Sequence, residues 1–190
     1  MAQKVSSPIE VYEGAVQQML PTLAGVRSDQ LGSSTPCTEW NVQQLIQHNI
    51  RVSQFVHSIL TGAGGVDLMD LSGELPPEGA AAAFESSAAA LLQVAKSRDM
   101  EEVVETPFGP MPLGHFLGIP TGDVVIHKWD LAKATNQDTT MDGSLAEVCY
   151  NALVPAVEGG RKAGFFGAEV ILPISASIQQ KLLGLSGRQP

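Results

Sequence analysis

The sequence has few aromatic residues, few basic residues and only two cysteines. Aromatic residues make up 5% of its 190 residues, and 11 Lys and Arg stand against 20 Asp and Glu, for a net charge of -9. Because a phosphate backbone attracts clustered basic residues, we expect neither nucleic acid nor an anionic membrane surface as a partner. Cys37 and Cys149 form no CxxC pair and no disulfide framework, so we expect reduced thiols and a cytoplasmic protein.

Long apolar runs and several common enzyme motifs are also missing. No apolar run reaches the roughly 18 residues that a membrane-spanning helix requires. The opening stretch, "MAQKVSSPIEVYEG", has acids by residue 10 and no apolar core, so we expect no signal peptide. The sequence contains no phosphate-binding loop, no dinucleotide-binding fingerprint and no Ser-His-Asp order. Because these motifs are missing, we expect neither a nucleotide-dependent enzyme nor an enzyme with a serine nucleophile.

Apolar residues at helical spacing are what the sequence has instead. A Ser7-to-Glu10 capping box predicts a first helix that runs to about Leu20, where Pro21 ends or kinks it. The next pattern predicts a helix that begins after a Thr38 cap and stops at Gly62. An Ala-rich stripe at residues 81, 84, 88, 91 and 95 predicts a third helix.

The second half continues in the same way after a turn. Three prolines and a glycine within residues 107–112 predict a turn between two short extended arms. Residues 113–135 predict a helix that Pro120 bends or restarts, and a Ser144-to-Glu147 capping box predicts a fifth helix. The predicted fold class is therefore all-α, with one domain over residues 1–190. The domain has a four-helix bundle core at about 7–160, a short irregular or β-turn insertion, and a C-terminal wrap at 161–190.

Asp123 and His127 form the first candidate site. Residues four apart share one face of a helix, so both side chains can reach the same point. A carboxylate oxygen and an imidazole nitrogen are suitable ligands for a divalent metal. The alternative is structural: Asp123 supplements a cap at Thr121, and His127 hydrogen-bonds to a neighbouring helix.

His48 supplies a third candidate ligand on a different helix. It projects from the flank of the apolar face of its helix, and burying a polar group costs free energy unless the group finds a partner. Bundle cores commonly build metal sites from ligands on facing helices. Three ligands leave one position open, as catalytic zinc sites do. A lone core histidine that is simply hydrogen-bonded is the structural alternative.

The remaining polar and aromatic residues fit other roles. His57 lies nearly opposite His48 on the helix, and His115 follows the proline-rich turn, so we expect both to be solvated. Asp130 shares roughly the face of His127 and is a candidate to orient its imidazole. We expect Trp129 to be a core residue and Cys37 to be a small buried thiol.

Two segments resemble a known family. "TPCTEWNVQQLIQH" is similar to the start of the second bundle helix in the DinB-like superfamily, in the branch that contains the mycothiol-dependent maleylpyruvate isomerase. "TGDVVIHKWDLAKATNQD" resembles the acid-x-x-x-His helix of that branch, and "LLGLSGRQP" resembles closing segments of related proteins. The isomerase pattern has Glu at the position of Asp123. It also has an additional C-terminal α/β domain that residues 161–190 are too few to form.

The resemblance implies a metal site and a chemistry. It makes His48, Asp123 and His127 the ligands of a divalent cation such as zinc or nickel, in a four-helix bundle that is often dimeric. It implies a low-molecular-weight thiol as cosubstrate and an electrophile as the second substrate, so we expect a metal-dependent thiol S-transferase or isomerase. The alternatives are a metal-dependent hydrolase, a non-catalytic metal-binding or ligand-sensing protein, and an interaction bundle without metal.

Overall fold

The computed structural model describes residues 6–190 and confirms the all-α fold class. Residues 1–5, on which the expectation about a signal peptide partly depends, lie outside the described residues. The helices are α1 (Pro8–Ala24), α2 (Val42–Thr61), α3 (Ala80–Ala95), α4 (Leu113–Ala134), α5 (Gly143–Leu153), α6 (Val157–Lys162) and α7 (Ile178–Leu185). None of these helices has the length and apolar character required to cross a membrane.

The chain forms two compact units, one that ends at Asp138 and one that comprises Thr139–Pro190. This division does not test the expectation of a single domain over residues 1–190, which stays a prediction. In the first unit, α1 packs against α3 and α4, and α2 packs against the same two helices. The four helices therefore close into a bundle. In the second unit, α5 packs against α7.

The bundle core is built from the predicted apolar faces. On α3 the buried residues include Phe84, Ala88, Leu91 and Ala95, so four of the five stripe positions are buried and Ala81 is half-buried. The small alanine side chains allow close approach of a neighbouring helix. Between α3 and α4, β1 (Val103–Val104) pairs antiparallel with β2 (Met111–Pro112), which confirms the short extended arms around the proline-rich turn.

The two prolines predicted to interrupt helices lie inside them. α1 continues past Pro21 to Ala24, so the predicted end at Leu20 is wrong. α4 is continuous through Pro120. The Thr121 hydroxyl donates to the Leu117 carbonyl 2.7 Å away, so Thr121 is an interior residue and not a cap. A proline removes one backbone donor, and packing of the surrounding turns against the bundle outweighs that loss.

Two predicted caps are also corrected. α2 is capped by Asn41, whose side chain accepts from the Gln44 N–H at 2.9 Å, and not by Thr38. α5 is capped by Asp142 and not by Ser144. In contrast, Gly62 ends α2 in the left-handed conformation at φ 73°, as predicted. Asn136, just after α4, has φ 57°, a left-handed conformation that asparagine adopts more readily than most other residues.

Candidate metal centre

His48, Asp123 and His127 converge inside the bundle, with His48 on α2 and the other two on α4. Asp123 Oδ1 lies 3.2 Å from His127 Nε2 and 3.3 Å from His48 Nε2. One donor atom from each of the three residues lies within 4.8 Å of the others. The one-turn spacing of Asp123 and His127 on α4 therefore puts both on the face that meets α2.

Two of the three residues, His48 and His127, are buried, Asp123 is half-buried, and one polar atom each of His48 and Asp123 lacks a hydrogen-bond partner. His48 and His127 are 8% and 6% exposed. Asp123 Oδ2 lies 3.3 Å from His48 Nε2, but it makes no hydrogen bond with any described residue, and neither does His48 Nδ1. A buried acceptor without a donor costs free energy. A divalent cation bound by this carboxylate would remove that cost at Asp123.

Charge coupling perturbs the two residues on α4 in opposite directions. Burial by itself would raise the pKa of Asp123, but the neighbouring His127 and His48 hold the pKa of this carboxyl well below its ordinary range. For His127, burial by itself would lower the pKa. The nearby carboxylates, chiefly Asp123 and then Asp130, instead raise the pKa of this imidazole well above its ordinary value. These shifts favour the carboxylate form of Asp123 and the protonated form of His127, and a bond from a metal to His127 Nε2 requires that nitrogen to be free of its proton.

Asp130 and Cys37 meet the other nitrogen of His127. Asp130 is fully buried, and its Oδ2 lies 2.9 Å from His127 Nδ1. The Cys37 thiol donates to the same oxygen at 3.2 Å, and its sulfur lies 3.7 Å from His127 Nδ1. Asp130 therefore lies within hydrogen-bond distance of His127, which its predicted orienting role requires. Cys37 is half-buried, so the expectation of a small buried thiol is wrong.

Trp40 covers the pair of histidines. Its ring centroid lies 4.5 Å from that of His48 and 5.9 Å from that of His127. The two imidazoles are edge to face, 5.2 Å apart. An aromatic wall beside the ligands lowers the local polarity and limits the rotation of the imidazoles, which favours a fixed arrangement of donors.

The other predicted residues lie away from this cluster. His115 is exposed in the first turn of α4, and His57 is half-buried on α2. Trp129 is 3% exposed, which confirms it as a core residue, with the Lys133 ammonium 4.3 Å from its ring centroid. Neither Cys37 nor Cys149 is in a disulfide.

Sequence reasoning from periodicity did not assign Trp40 or Cys37 to the site. Both belong to the turn between residues 35 and 41, in which the Thr35 hydroxyl donates to the Trp40 carbonyl at 2.8 Å and the Trp40 N–H donates to the Cys37 carbonyl at 2.8 Å. The sequence feature that could have assigned Trp40 and Cys37 to the site is the position of this turn, directly before the helix that carries His48.

The donor set fits a divalent cation. Two imidazole nitrogens and one carboxylate oxygen are ligands that zinc and related transition metals accept, and three protein ligands are the usual number in catalytic zinc sites. The residues Cys37, His127 and Asp130 also lie within 4.8 Å of one another. There, however, the Nδ1–H of His127 and the thiol of Cys37 are both directed at Asp130, which is the arrangement of an orienting carboxylate.

Comparison with known proteins identifies a protein family that matches most of the bundle. Residues 12–132 match the model of the mycothiol maleylpyruvate isomerase N-terminal domain. An uncharacterised protein found in two strains of Mycobacterium tuberculosis is 34% identical over 140 residues, which is 73% of each chain.

Solved structures share the fold at lower sequence identity. The crystal structure of the mycothiol-dependent maleylpyruvate isomerase superposes with a TM-score of 0.63 at 16% identity, over 90% of this chain and 76% of the isomerase. A histidine-to-alanine mutant of that isomerase gives a TM-score of 0.63 at 18% identity over the same shares. By the extent of the domain match, the chain belongs to the family of the mycothiol maleylpyruvate isomerase N-terminal domain.

Proposed function

We propose that the protein is a divalent-metal-dependent enzyme of low-molecular-weight thiols, a thiol S-transferase or a related isomerase. His48, Asp123 and His127 are the metal ligands in this proposal, and zinc or nickel is the metal. The observation that carries it is the convergence of three donor atoms within 4.8 Å at a buried carboxylate oxygen that lacks a hydrogen bond. Membership in a family named for mycothiol supports a small thiol as the cosubstrate.

The metal supplies one element of the chemistry. Held by His48, Asp123 and His127, a divalent cation would lower the pKa of a thiol bound at its open position and would favour the thiolate near neutral pH. Three protein ligands leave such a position, whereas a structural zinc site normally fills all four. This difference favours a site that acts on a ligand over one that only stabilises the fold.

The residues of the chain hold and orient the site. Asp123 contributes the one anionic donor, which partly neutralises the cation. Asp130 accepts from His127 Nδ1 at 2.9 Å, which leaves the Nε2 lone pair of His127 for the metal. Trp40 packs on His48 at 4.5 Å between ring centroids and excludes water from that side. The family pattern has Glu at the position of Asp123, and the shorter Asp side chain brings the carboxylate closer to its own helix.

The test is metal content by plasma mass spectrometry on the tag-free chain. After reconstitution with zinc or nickel at neutral pH, we expect about one ion per chain in the parent, because the donor set is complete in the folded protein. His48→Ala and Asp123→Ala should each lose most of this metal. His57→Ala is the matched control, since it removes an imidazole from the same helix outside the cluster and should retain the parent content.

The outcomes separate the candidate functions. A parent that stays metal-free after reconstitution contradicts the proposal, and the two histidines are then structural core residues. Metal that is retained in all three variants contradicts the assignment of the ligands. If the metal binds as expected but small thiols neither bind nor react with electrophiles, the protein is a metal-binding protein and not an enzyme of thiols.

A further inference from the structure

A pocket in the second unit is lined by residues of α5, of α7 and of the segment between α6 and α7. Its volume is about 290 Å³, at about the lower limit for small-molecule sites. All of its lining residues belong to Thr139–Pro190, and the family match ends at residue 132. We call it the Lys181 pocket, and its lining residues are Tyr150, Glu169, Val170, Leu172, Pro173, Ile174, Lys181 and Leu185.

One wall of the pocket is the segment at residues 169–174, which is held against α7. The Val170 N–H donates to the Gly184 carbonyl at 2.9 Å. A Cβ at position 184 would lie 2.8 Å from both the Val170 carbonyl oxygen and Leu172 Cδ1, so a glycine is needed for this close approach. The Arg161 guanidinium, from α6, donates to the Leu185 carbonyl at 2.7 Å and ties α6 to the same end of α7. The wall is therefore part of the fold.

Most of the lining is apolar, and part of it is open to water. Five of the eight lining residues have apolar side chains. Ile174 is 98% exposed, and Leu172 is half-buried. Covering exposed apolar surface with a nonpolar group is favourable, and such surface in a concave site is typical of a binding site. The lining thus favours a ligand with an apolar body.

The two charged groups of the lining differ in how they are engaged. Glu169 Oε2 lies 3.6 Å from Arg161 Nη2, and Arg161 also pairs with Glu158. Lys181 is half-buried, and its ammonium has no hydrogen bond or ion pair within the part of the chain that the structure describes. These two carboxylates and two cations together carry no net charge. The Lys181 ammonium is thus the charged group of the lining that remains for a ligand.

Tyr150 adds a neutral donor to the same pocket. Its side chain is half-buried on α5, and its hydroxyl has no hydrogen bond to any described residue. A hydroxyl can donate to a carboxylate, and hydrogen bonds to charged groups are stronger than those between neutral groups. An ammonium ligand would instead meet like charge at Lys181, and the Glu169 carboxylate that could bind it is already beside Arg161. The polar part of the pocket therefore suits a carboxylate.

We propose that the Lys181 pocket binds a small amphipathic carboxylate. The carboxylate lies at Lys181 and Tyr150, and the apolar body packs against Val170, Leu172 and Ile174. This site goes beyond the proposed function, because neither a metal nor a thiol takes part in it. Lys181 determines the selectivity for charge, and the segment at residues 169–174 supplies the apolar contact.

The experiment titrates the full chain with hexanoate, hexan-1-ol, hexylammonium and acetate at low ionic strength. Binding is followed by the amide chemical shifts of residues 169–172 and 181–185. We expect hexanoate to bind roughly three- to fivefold more tightly than hexan-1-ol, the effect of one partly exposed ion pair, and hexylammonium to bind more weakly than either. Acetate should bind at least about tenfold more weakly than hexanoate, because it lacks most of the apolar body.

Two lysine variants test the assignment of the charge. Lys181→Met removes the ammonium and keeps an apolar stem, so hexanoate and hexan-1-ol should bind to it within about twofold of each other. Lys162→Met is the matched control: it makes the same change in net charge at an exposed residue of α6 outside the lining, and it should keep the parent preference. Far-ultraviolet circular dichroism checks that both variants remain helical.

The outcomes decide the proposal without reference to the metal centre. A Lys181→Met protein that still prefers hexanoate overturns it, as does a parent that binds hexylammonium or acetate as tightly as hexanoate. A preference for hexanoate that is lost in Lys181→Met and kept in Lys162→Met supports it. Because none of these measurements requires bound metal, they are independent of the test of the proposed function.

Discussion

At the scale of single residues, His127 is the residue held from both sides. Its Nε2 lies 3.2 Å from Asp123 Oδ1, and its Nδ1 lies 2.9 Å from Asp130 Oδ2. A metal at Nε2 requires a lone pair there, so the ring proton must sit on Nδ1. A buried carboxylate that accepts from Nδ1 favours this tautomer and fixes the ring plane. Asp130 is therefore a positioning residue in the proposed centre.

This role makes Asp130→Asn a specific test. The amide can still accept a hydrogen bond, but it loses the negative charge that strengthens the bond and the basicity of the imidazole. We expect metal affinity to fall by roughly 10- to 100-fold, the usual effect of losing such an orienting carboxylate. A competition titration against a chromophoric chelator measures this change. Full occupancy should still be reached at high metal concentration, because the three ligands remain.

Asp99→Asn is the matched control for that measurement. Asp99 is exposed and its carboxylate accepts a local hydrogen bond from the Glu101 N–H at 3.0 Å, so this variant should bind metal like the parent. An Asp130→Asn protein with parent affinity would show that Asp130 does not orient His127. A loss of helical content in that variant would show that Asp130 acts on the fold.

At the scale of helices, the sequence predicted which segments are helical better than where they begin. Thr38 has the side chain of a cap, but the Thr35 hydroxyl organises a turn that includes residues 37–40 and moves the start of α2 to Val42. Several cap-like residues stand side by side in both misplaced starts. The choice between them depends on the competing hydrogen bonds of the turn, which spacing alone does not show.

Local sequence patterns likewise predicted only part of the candidate site. Asp123 and His127 were accessible to local reasoning because one helical turn brings them together. His48 lies 75 residues before Asp123, so periodicity gave only its flank position. Its pairing with α4 was predicted from the general rule that bundle cores build metal sites from facing helices, and the family resemblance implied the same three ligands. Cys37 meets Asp130 across 93 residues. Nothing in the local pattern around either residue indicates that contact, since it is created by bundle packing.

Two glycine-to-alanine variants test how backbone conformation affects stability, one at a helix end and one inside a helix. Gly62 has φ 73° at the end of α2, whereas an added Cβ at Gly118, inside α4, meets no atom within 4 Å. We expect Gly62→Ala to lower the free energy of unfolding by roughly 1–2 kcal/mol, because a Cβ is strained in the left-handed conformation. Gly118→Ala should raise it by roughly 0.5–1 kcal/mol, because alanine loses less backbone entropy in a helix. Urea denaturation of the metal-free proteins measures both.

The pair serves as its own control, since both variants add one methyl group. Metal content should be unchanged in both, because neither glycine contacts the donor cluster. A stabilised Gly62→Ala protein would contradict the left-handed end of α2. A strongly destabilised Gly118→Ala protein would mean that the space beside α4 is filled by a neighbour.

At the scale of the whole molecule, the bundle has a core that does not depend on the metal. The largest fully buried side chains of the bundle helices are Tyr12, Met19, Leu45, Ile46, Phe84, Leu91, Phe116 and Leu117, with others on α4. Small zinc-dependent domains lack such a core and unfold without metal. Here the apolar side chains of four packed helices bury enough surface to maintain the fold, and the metal adds to a structure that already exists.

Metal removal should therefore lower the thermal stability without unfolding the chain. A ligand that binds only the folded state stabilises it by about 2.7 kcal/mol at a free concentration 100 times its Kd, and for a chain of this size 1 kcal/mol corresponds to roughly 2–4 °C in Tm. We expect metal to raise the Tm by roughly 5–10 °C, while the far-ultraviolet circular dichroism at 25 °C stays the same after chelation. His48→Ala should fold but show little response to metal. Loss of helical signal on chelation would contradict a metal-independent core, and an equal rise of the Tm in His48→Ala would place the stabilising metal elsewhere on the chain.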